Sequence, residues 1–304
     1  MEKFEITILG CGAALPTPHH FCSSQVVNIR EKLFMIDCAE GVQTQLRRSR
    51  LHFNRINNIF ISHLHGDHCL GLIGLISTFA LLGRTATLDI WGPAPLIDVF
   101  QPQISFFCNN LTYKVNLHEI DTKSREVIYE DRTVTVETIP LKHRMPCCGF
   151  LFREKKLMRH IRRDVINAYN IPTCYINNIK AGMDYTLPDG EVIPNESMTT
   201  PADPVRSYAY CSDTMFKPSN AEQLTDVTLL YHESTFMEKD KVLSKKTYHS
   251  TTVEAAEMAK LANAGQLMIG HFSARYEDEN LLLEECRHVF PDTILANENL
   301  KISI

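Results

Sequence analysis

The sequence predicts an α/β protein arranged as a four-layer αββα sandwich with a protruding arm. Three observations carry that expectation. Strand-like and helix-like runs accompany each other in both halves of the chain, which suits two sheets packed face to face with helices outside. Residue types that bind metals recur at the ends of apolar strand-like runs, as a site on the rim of a sandwich requires. One stretch, residues 153–204, breaks the rhythm: a basic run is followed by Pro172, Pro188, Pro194, Pro201, Pro204 and the turn pair Asp189-Gly190. With 304 residues, 44% of them hydrophobic, the chain can bury a large core. It has no repeat and no low-complexity tract, so the expectation is one domain, 1–304, with 153–204 as an arm-like insert.

In chain order, short apolar or alternating runs bounded by Gly, Pro, Asn or charge predict strands at 4–9, 25–29, 33–37 and 58–62. Helical spacing of apolar residues predicts helices over 41–49, 70–82 and 94–108. Residues 111–118 and 127–138 lead into strands at 149–153, 207–211, 227–231 and 266–270, and a helix over 252–261 completes the alternation. No run reaches the roughly 20 apolar residues of a membrane span. The opening residues enter a strand pattern without a signal or transit segment, so a cytoplasmic protein with no membrane partner is expected.

The net charge is −5, which argues against coating nucleic acid by bulk electrostatics, because that affinity comes from many Lys and Arg contacts to phosphates. Local patches would have to carry any RNA contact. One is Arg153, Lys155, Lys156, Arg159, Arg162 and Arg163 in the arm; another is Arg47, Arg48, Arg50 and Arg55. Neither has interleaved aromatics for base stacking, which favours phosphate and shape recognition over sequence readout. The ten cysteines include no Cys-x-x-Cys pair, against a thiolate zinc ribbon or a disulfide framework. Cys11, Cys38, Cys69 and Cys211 read as small buried hydrophobes, and Cys147-Cys148 as packing beside a strand.

The strongest chemical signal is His63-Leu64-His65-Gly66-Asp67-His68, set between an apolar strand and an apolar helix. His63 and His65, two apart at a strand end, can point to one side while Asp67 and His68 turn to the other, so one turn can serve two neighbouring metals. Gly66 is expected to supply the backbone freedom for that turn. Four adjacent polar groups would be costly beside a core without metal or solvent, which outweighs the ordinary reading of a lone histidine as a surface or core residue. Nitrogen and oxygen donors suit Zn²⁺, with Mn²⁺ or Fe²⁺ left open. Further donors follow apolar strands: His143 after 134–141, Asp213 after 208–211 and His271 after 267–270. Each is weak evidence alone and strong beside the hexapeptide.

The hexapeptide is the mark of the metallo-β-lactamase superfamily, and the remaining motifs resemble the ribonuclease Z family along nearly the whole chain. They are Leu9-Gly10-Cys11-Gly12-Ala13-Ala14, Ser23-Ser24, Ile36-Asp37-Cys38-Ala39-Glu40-Gly41, Ser212-Asp213-Thr214, His232-Glu233-Ser234-Thr235-Phe236, His249-Ser250-Thr251-Thr252 and His271-Phe272-Ser273-Ala274-Arg275-Tyr276. The resemblance implies the metallo-β-lactamase fold and two Zn²⁺ per subunit. One would be held by His63, His65 and His143, the other by Asp67, His68 and His271, with Asp213 bridging. It also implies an endoribonuclease that cuts the 3′ trailer from precursor tRNA, leaving a 3′-hydroxyl and a 5′-phosphate, and a homodimer in which each arm serves the other subunit. Two such metals would acidify water near neutral pH and clamp the phosphodiester oxygens. Asp67 would act as base and His249, aided by Glu233, as proton donor to the leaving oxygen. Arg159, Arg162, Arg163, Ser273 and Arg275 would contact substrate, and His232 would line the site or steady its loop. The family's Gly-Pro arm motif is replaced here by Asn170-Ile171-Pro172-Thr173-Cys174-Tyr175. Two other readings stay open at this point: a small-molecule phosphodiesterase or ester or lactone hydrolase on the same scaffold, and a metal-stabilised binding scaffold without catalysis.

Overall fold

The computed structural model describes residues 2–304. Strands β1 (Phe4–Gly10), β2 (Ser24–Ile29) and β3 (Lys32–Ile36) form an antiparallel meander. Strands β4 (Ile56–Phe60), β5 (Leu88–Pro93) and β6 (Val115–Ile120) extend the sheet in parallel. Parallel neighbours need crossovers, and helices α1 (Val42–Arg48), α2 (Gly66–Cys69), α3 (Leu72–Leu81) and α4 (Leu96–Phe107) supply them. The helix expected over 70–82 is thus preceded by a separate turn of helix that carries Asp67 and His68.

Strands β7 (Val127–Glu130), β8 (Val134–Pro140) and β9 (Cys148–Glu154) begin a second sheet. Residues 127–138 hold two strands because Asp131 turns the chain, its Oδ1 accepting from Thr133 N at 2.7 Å and Val134 N at 3.0 Å.

The chain forms two compact units, of which Glu154–Val205 is one. That unit contains β10 (His160–Ile161), α5 (Arg163–Ala168), α6 (Ile176–Lys180), β11 (Tyr185–Thr186), β12 (Val192–Ile193), α7 (Asn195–Met198) and β13 (Thr199–Thr200). Its strands pair as β10 with β13 and β11 with β12. Ile166, Ile171, Ile179, Ile193 and Met198 form its core. The buried Asn195 amide ties its loops, donating to Ile179 O at 2.6 Å and Met183 O at 2.8 Å.

In the other unit the second sheet resumes with β14 (Ser207–Cys211), β15 (Leu229–Glu233), α8 (Lys241–Thr247), α9 (Thr252–Leu261), β16 (Gln266–Gly270), α10 (Asn280–Arg287) and β17 (Thr293–Leu295). β18 (Lys301–Ser303) returns to pair with β1. Each sheet has seven strands, in the orders β18-β1-β2-β3-β4-β5-β6 and β17-β16-β15-β14-β9-β8-β7.

Alternation along the strands sorts the core into layers. Val26, Met35 and Ile59 face Leu75, Ile76, Phe79 and Phe100 of α3 and α4. Their neighbours Val27, Phe34, Ile36 and Phe60 point between the sheets. There Phe60 meets Phe150 with ring centroids 5.4 Å apart, and Phe34 meets Phe152 at 5.8 Å. On the far side, Ala255, Ala256 and Ala259 of α9 let that helix lie close to the second sheet. Thr251 opens α9 with a reciprocal capping box to Glu254. The result is the predicted αββα order.

Candidate metal centre

The metal-binding residue types gather where strands of both sheets end. β4 runs into His63 and His65, and His65 caps the short α2, which carries Asp67 and His68. This loop is pinned to the end of β3: Cys38 N donates to His68 O at 2.7 Å and Gly71 N to Cys38 O at 2.9 Å. A Cβ on Gly71 would lie 2.0 Å from Ala39 O, so only glycine permits the approach. Gly66, by contrast, has no left-handed backbone and simply opens α2, so its expected role in the turn is not what the structure shows. Left-handed backbone occurs instead at Asp37 (φ 54°) and His271 (φ 62°), each costing on the order of 1 kcal/mol.

His143 follows β8, Asp213 follows β14 and His271 follows β16. Donor atoms of His63, His65, His143 and Asp213 lie within 4.8 Å of one another, as do those of Asp67, His68 and His271. Asp213 faces both groups. Its Oδ2 is 3.6 Å from His63 Nε2 and 3.9 Å from His143 Nε2, while its Oδ1 is 3.4 Å from His68 Nε2 and 3.1 Å from His271 Nε2. Asp67 Oδ2 is 3.5 Å from His68 Nε2, 3.8 Å from His271 Nε2, and accepts from Ala14 N at 2.9 Å. His68 Nε2, His271 Nε2 and Asp213 Oδ1 are buried yet make no hydrogen bond among the described residues. Three unsatisfied polar atoms this close together are costly unless a cation takes their lone pairs, so this donor set fits a pair of divalent metals.

The opposite ring nitrogens are held. His68 Nδ1 donates to Asp37 Oδ2 at 2.8 Å and His143 Nδ1 to Tyr248 O at 3.0 Å; His63 Nδ1 lies 3.0 Å from Ser62 Oγ and His271 Nδ1 2.8 Å from Thr235 Oγ1. Such partners fix the tautomer and ring direction of a ligand. Asp37 also accepts from Ser62 N at 2.7 Å and from Tyr210 of β14 at 2.8 Å, joining groups from both sheets.

Beside the cluster, His249 Nδ1 meets Glu233 Oε1 at 3.0 Å. Glu233 is fully buried, and its carboxylate also accepts from Thr214 N, Ser250 N, Thr235 N and the Thr235 hydroxyl. Burial pushes the Glu233 carboxyl up, but the His249 charge and hydrogen bond outweigh it and hold it below its ordinary value. Burial likewise disfavours protonated His249, yet the Glu233 carboxylate prevails and raises the imidazole to about 9.

The cluster floors a cavity of about 610 Å³, open to solvent and lined also by Ala14, Glu40, Arg144, Thr247 and Ser273. Of the residues expected to touch substrate, Ser273 lines this cavity, and Arg275 lies over the Phe236 ring and donates to Ser273 Oγ at 3.2 Å. Arg159, Arg162 and Arg163 belong to the Glu154–Val205 unit, where Arg159 donates to Thr199 Oγ1 at 2.7 Å and Arg162 to Asp164 at 3.4 Å. His232 is buried on β15, bonded to Glu233 O at 2.7 Å, and is not among the cavity's lining residues. Sequence reasoning assigned no role to Asp37, Ser62 or Thr235. The available signal was a charged residue ending the apolar run of β3.

A family model described as Anti-Pycsar protein Apyc1 matches residues 4–159. A protein of Bacteroides fragilis (strain YCH46) named Ribonuclease Z is 60% identical over 304 residues, covering all of both chains. Among solved structures, human tRNase Z, short form (ELAC1), superposes with a TM-score of 0.71 at 26% identity, covering 99% of each chain. The metallo-β-lactamase fold protein YhfI of Bacillus subtilis gives a TM-score of 0.70 at 17% identity with full coverage of both, a likeness of fold alone.

Proposed function

The chain belongs to the ribonuclease Z family, matched from end to end, and over residues 4–159 also to the family described as Anti-Pycsar protein Apyc1; from that premise we propose that it is a two-zinc endoribonuclease trimming the 3′ trailer of precursor tRNA. The observation that carries the two-metal reading is the division of the Asp213 carboxylate, one oxygen toward His63 and His143 and the other toward His68 and His271. In this assignment His63, His65 and His143 would hold one Zn²⁺, Asp67, His68 and His271 would hold the other, and Asp213 would serve both. When bound, the pair supplies positive charge that acidifies water and neutralises phosphodiester oxygens.

The remaining work falls to the chain. Asp67, anchored by Ala14 N, is placed to accept the proton of the attacking water. His249 is kept protonated by Glu233, and with Nδ1 so occupied its Nε2 is the nitrogen left to give a proton to the departing 3′ oxygen. The cut leaves a 3′-hydroxyl on the tRNA and a 5′-phosphate on the trailer. Ser273, Arg275 and the arm cations Arg159, Arg162 and Arg163 take the RNA backbone, in a homodimer working in the cytoplasm. No helix among the described residues is long and apolar enough to cross a membrane.

The test is incubation of purified protein with a 3′-extended tRNA precursor, with and without chelator, and mapping of the cut to the nucleotide. One chelator-sensitive cut at the trailer junction is expected. A protein that leaves the precursor intact while hydrolysing bis(p-nitrophenyl) phosphate would overturn the tRNA reading in favour of a small-molecule phosphodiesterase.

A further inference from the structure

A second cluster of metal-binding residue types lies outside the catalytic rim. Cys11 at the end of β1, His20 in the following loop and Glu298 before β18 bring a sulfur, a nitrogen and an oxygen within 4.8 Å of one another. Cys11 Sγ is 3.3 Å from His20 Nδ1, which is 2.9 Å from Glu298 Oε2, and Sγ is 3.8 Å from Glu298 Oε1. These are hydrogen-bonding separations, close enough that small side-chain adjustments would bring all three donors to about 2.0–2.3 Å from one ion. The other ring nitrogen, His20 Nε2, meets Glu279 Oε1 at 2.9 Å, which is the outer carboxylate that orients a metal-bound histidine. Cys11 is fully buried, while the Glu298 and Glu279 side chains are 14% and 26% exposed. They border, with His20, a cavity of about 340 Å³ that opens to solvent and offers an entry path.

We propose that Cys11, His20 Nδ1 and Glu298 form a binding site for a soft divalent cation such as Zn²⁺, separate from the catalytic pair, with Glu279 orienting the imidazole. The proton balance favours it. Without a cation the cluster holds a neutral thiol, an imidazolium between two carboxylates, and so one net negative charge. Burial keeps the Cys11 thiol protonated, and the Glu298 hydrogen bond raises His20 to about 9. Binding one divalent ion expels the thiol proton and the Nδ1 proton while Nε2–H stays on Glu279, so the buried charge is unchanged. A thiolate, an imidazole and a carboxylate are the donor mixture that selects zinc over magnesium or calcium. The site also reaches the catalytic wall: Phe272 N donates to Cys11 O and Ala13 N to Phe272 O, both at 3.0 Å, and the next residue's amide, Ala14 N, holds Asp67. A cation here would fasten that wall to the last turn before β18.

The assigned catalytic ligands include no sulfur, so full-length protein dialysed against Co²⁺ distinguishes the two sites. We expect a thiolate-to-cobalt charge-transfer band in the wild type, and one more bound equivalent than in Cys11→Ser, which loses the band. The band should persist in His271→Ala, which damages the proposed catalytic centre, so failure of that proposal and of this one are told apart. His20→Gln serves as a second variant should Cys11→Ser not fold, and is also expected to lose the band. Absence of the band in the wild type, its survival in Cys11→Ser, or equal metal content in those two proteins would overturn the site and leave an imidazolium clamp between two carboxylates.

Discussion

The metal rim and the Glu154–Val205 unit are built on opposite principles. At the rim, His63 and His68 are fully buried, Asp213 and His271 are 3% exposed, and four histidines have their second nitrogen held by a named partner. In the arm unit a core of four isoleucines and one methionine supports short elements, and Arg162 and Arg163 are exposed. A buried, cross-braced cluster places its donors before any ligand arrives, so the cost of ordering is met at folding. Exposed cations lose side-chain entropy when they engage phosphate, and salt screens them. The donors are thus pre-set in one unit, while the grip on substrate proposed for the other would be electrostatic and adjustable.

The contrast can be broken most severely at Asp213. Asp213→Ala should remove the group facing both donor sets, lowering activity to background and reducing bound metal by mass spectrometry, with far-ultraviolet circular dichroism retained. His249→Ala should lower kcat by about 10²–10⁴-fold at unchanged metal content; normal turnover would remove His249 from the chemistry. Asp37→Asn touches no proposed metal directly, yet should weaken metal affinity by about 10–100-fold, since it holds His68. In the arm, changing Arg159, Arg162 and Arg163 together to Ala should weaken precursor binding and reduce its salt slope by about one per lost phosphate contact. Hydrolysis of bis(p-nitrophenyl) phosphate should be unaffected, and equal losses on both substrates would contradict the division of labour. The smallest effect concerns metal-free protein. His20, raised to about 9 from an ordinary 6.5, contributes stability that is complete below 6.5 and is lost as pH rises through about 9. Melting temperature should therefore decline over that window, and His20→Gln should flatten the decline.

What the sequence revealed follows the same contrast. The strand before His63, the helices flanking it and the placement of His143, Asp213 and His271 after apolar runs were legible because each depends on local periodicity. β18 was missed because its three residues have meaning only against β1, nearly 300 positions earlier. α10 was missed because its charged surface hides the two buried positions Leu282 and Cys286. The arm reads in sequence as an irregular, proline-bearing excursion, and its small core is not legible there because four of its five residues sit singly in separate short helices or a two-residue strand. Asp37 shows the limit most clearly: a charge ending an apolar run looks like a strand terminus, and only the packed structure reveals the partners it binds.

That Asp37 draws on Ser62 and His68 beyond β4 and on Tyr210 in β14 also bears on synthesis of the protein. Five of the seven proposed ligands precede the arm, but Asp213 and His271 follow it. A nascent chain emerging from the ribosome therefore lacks part of the proposed ligand set until β16 and the His271 that follows it are made. A copy truncated before β16 would lack part of the proposed centre, so on this assignment activity arises only once both sheets have been made.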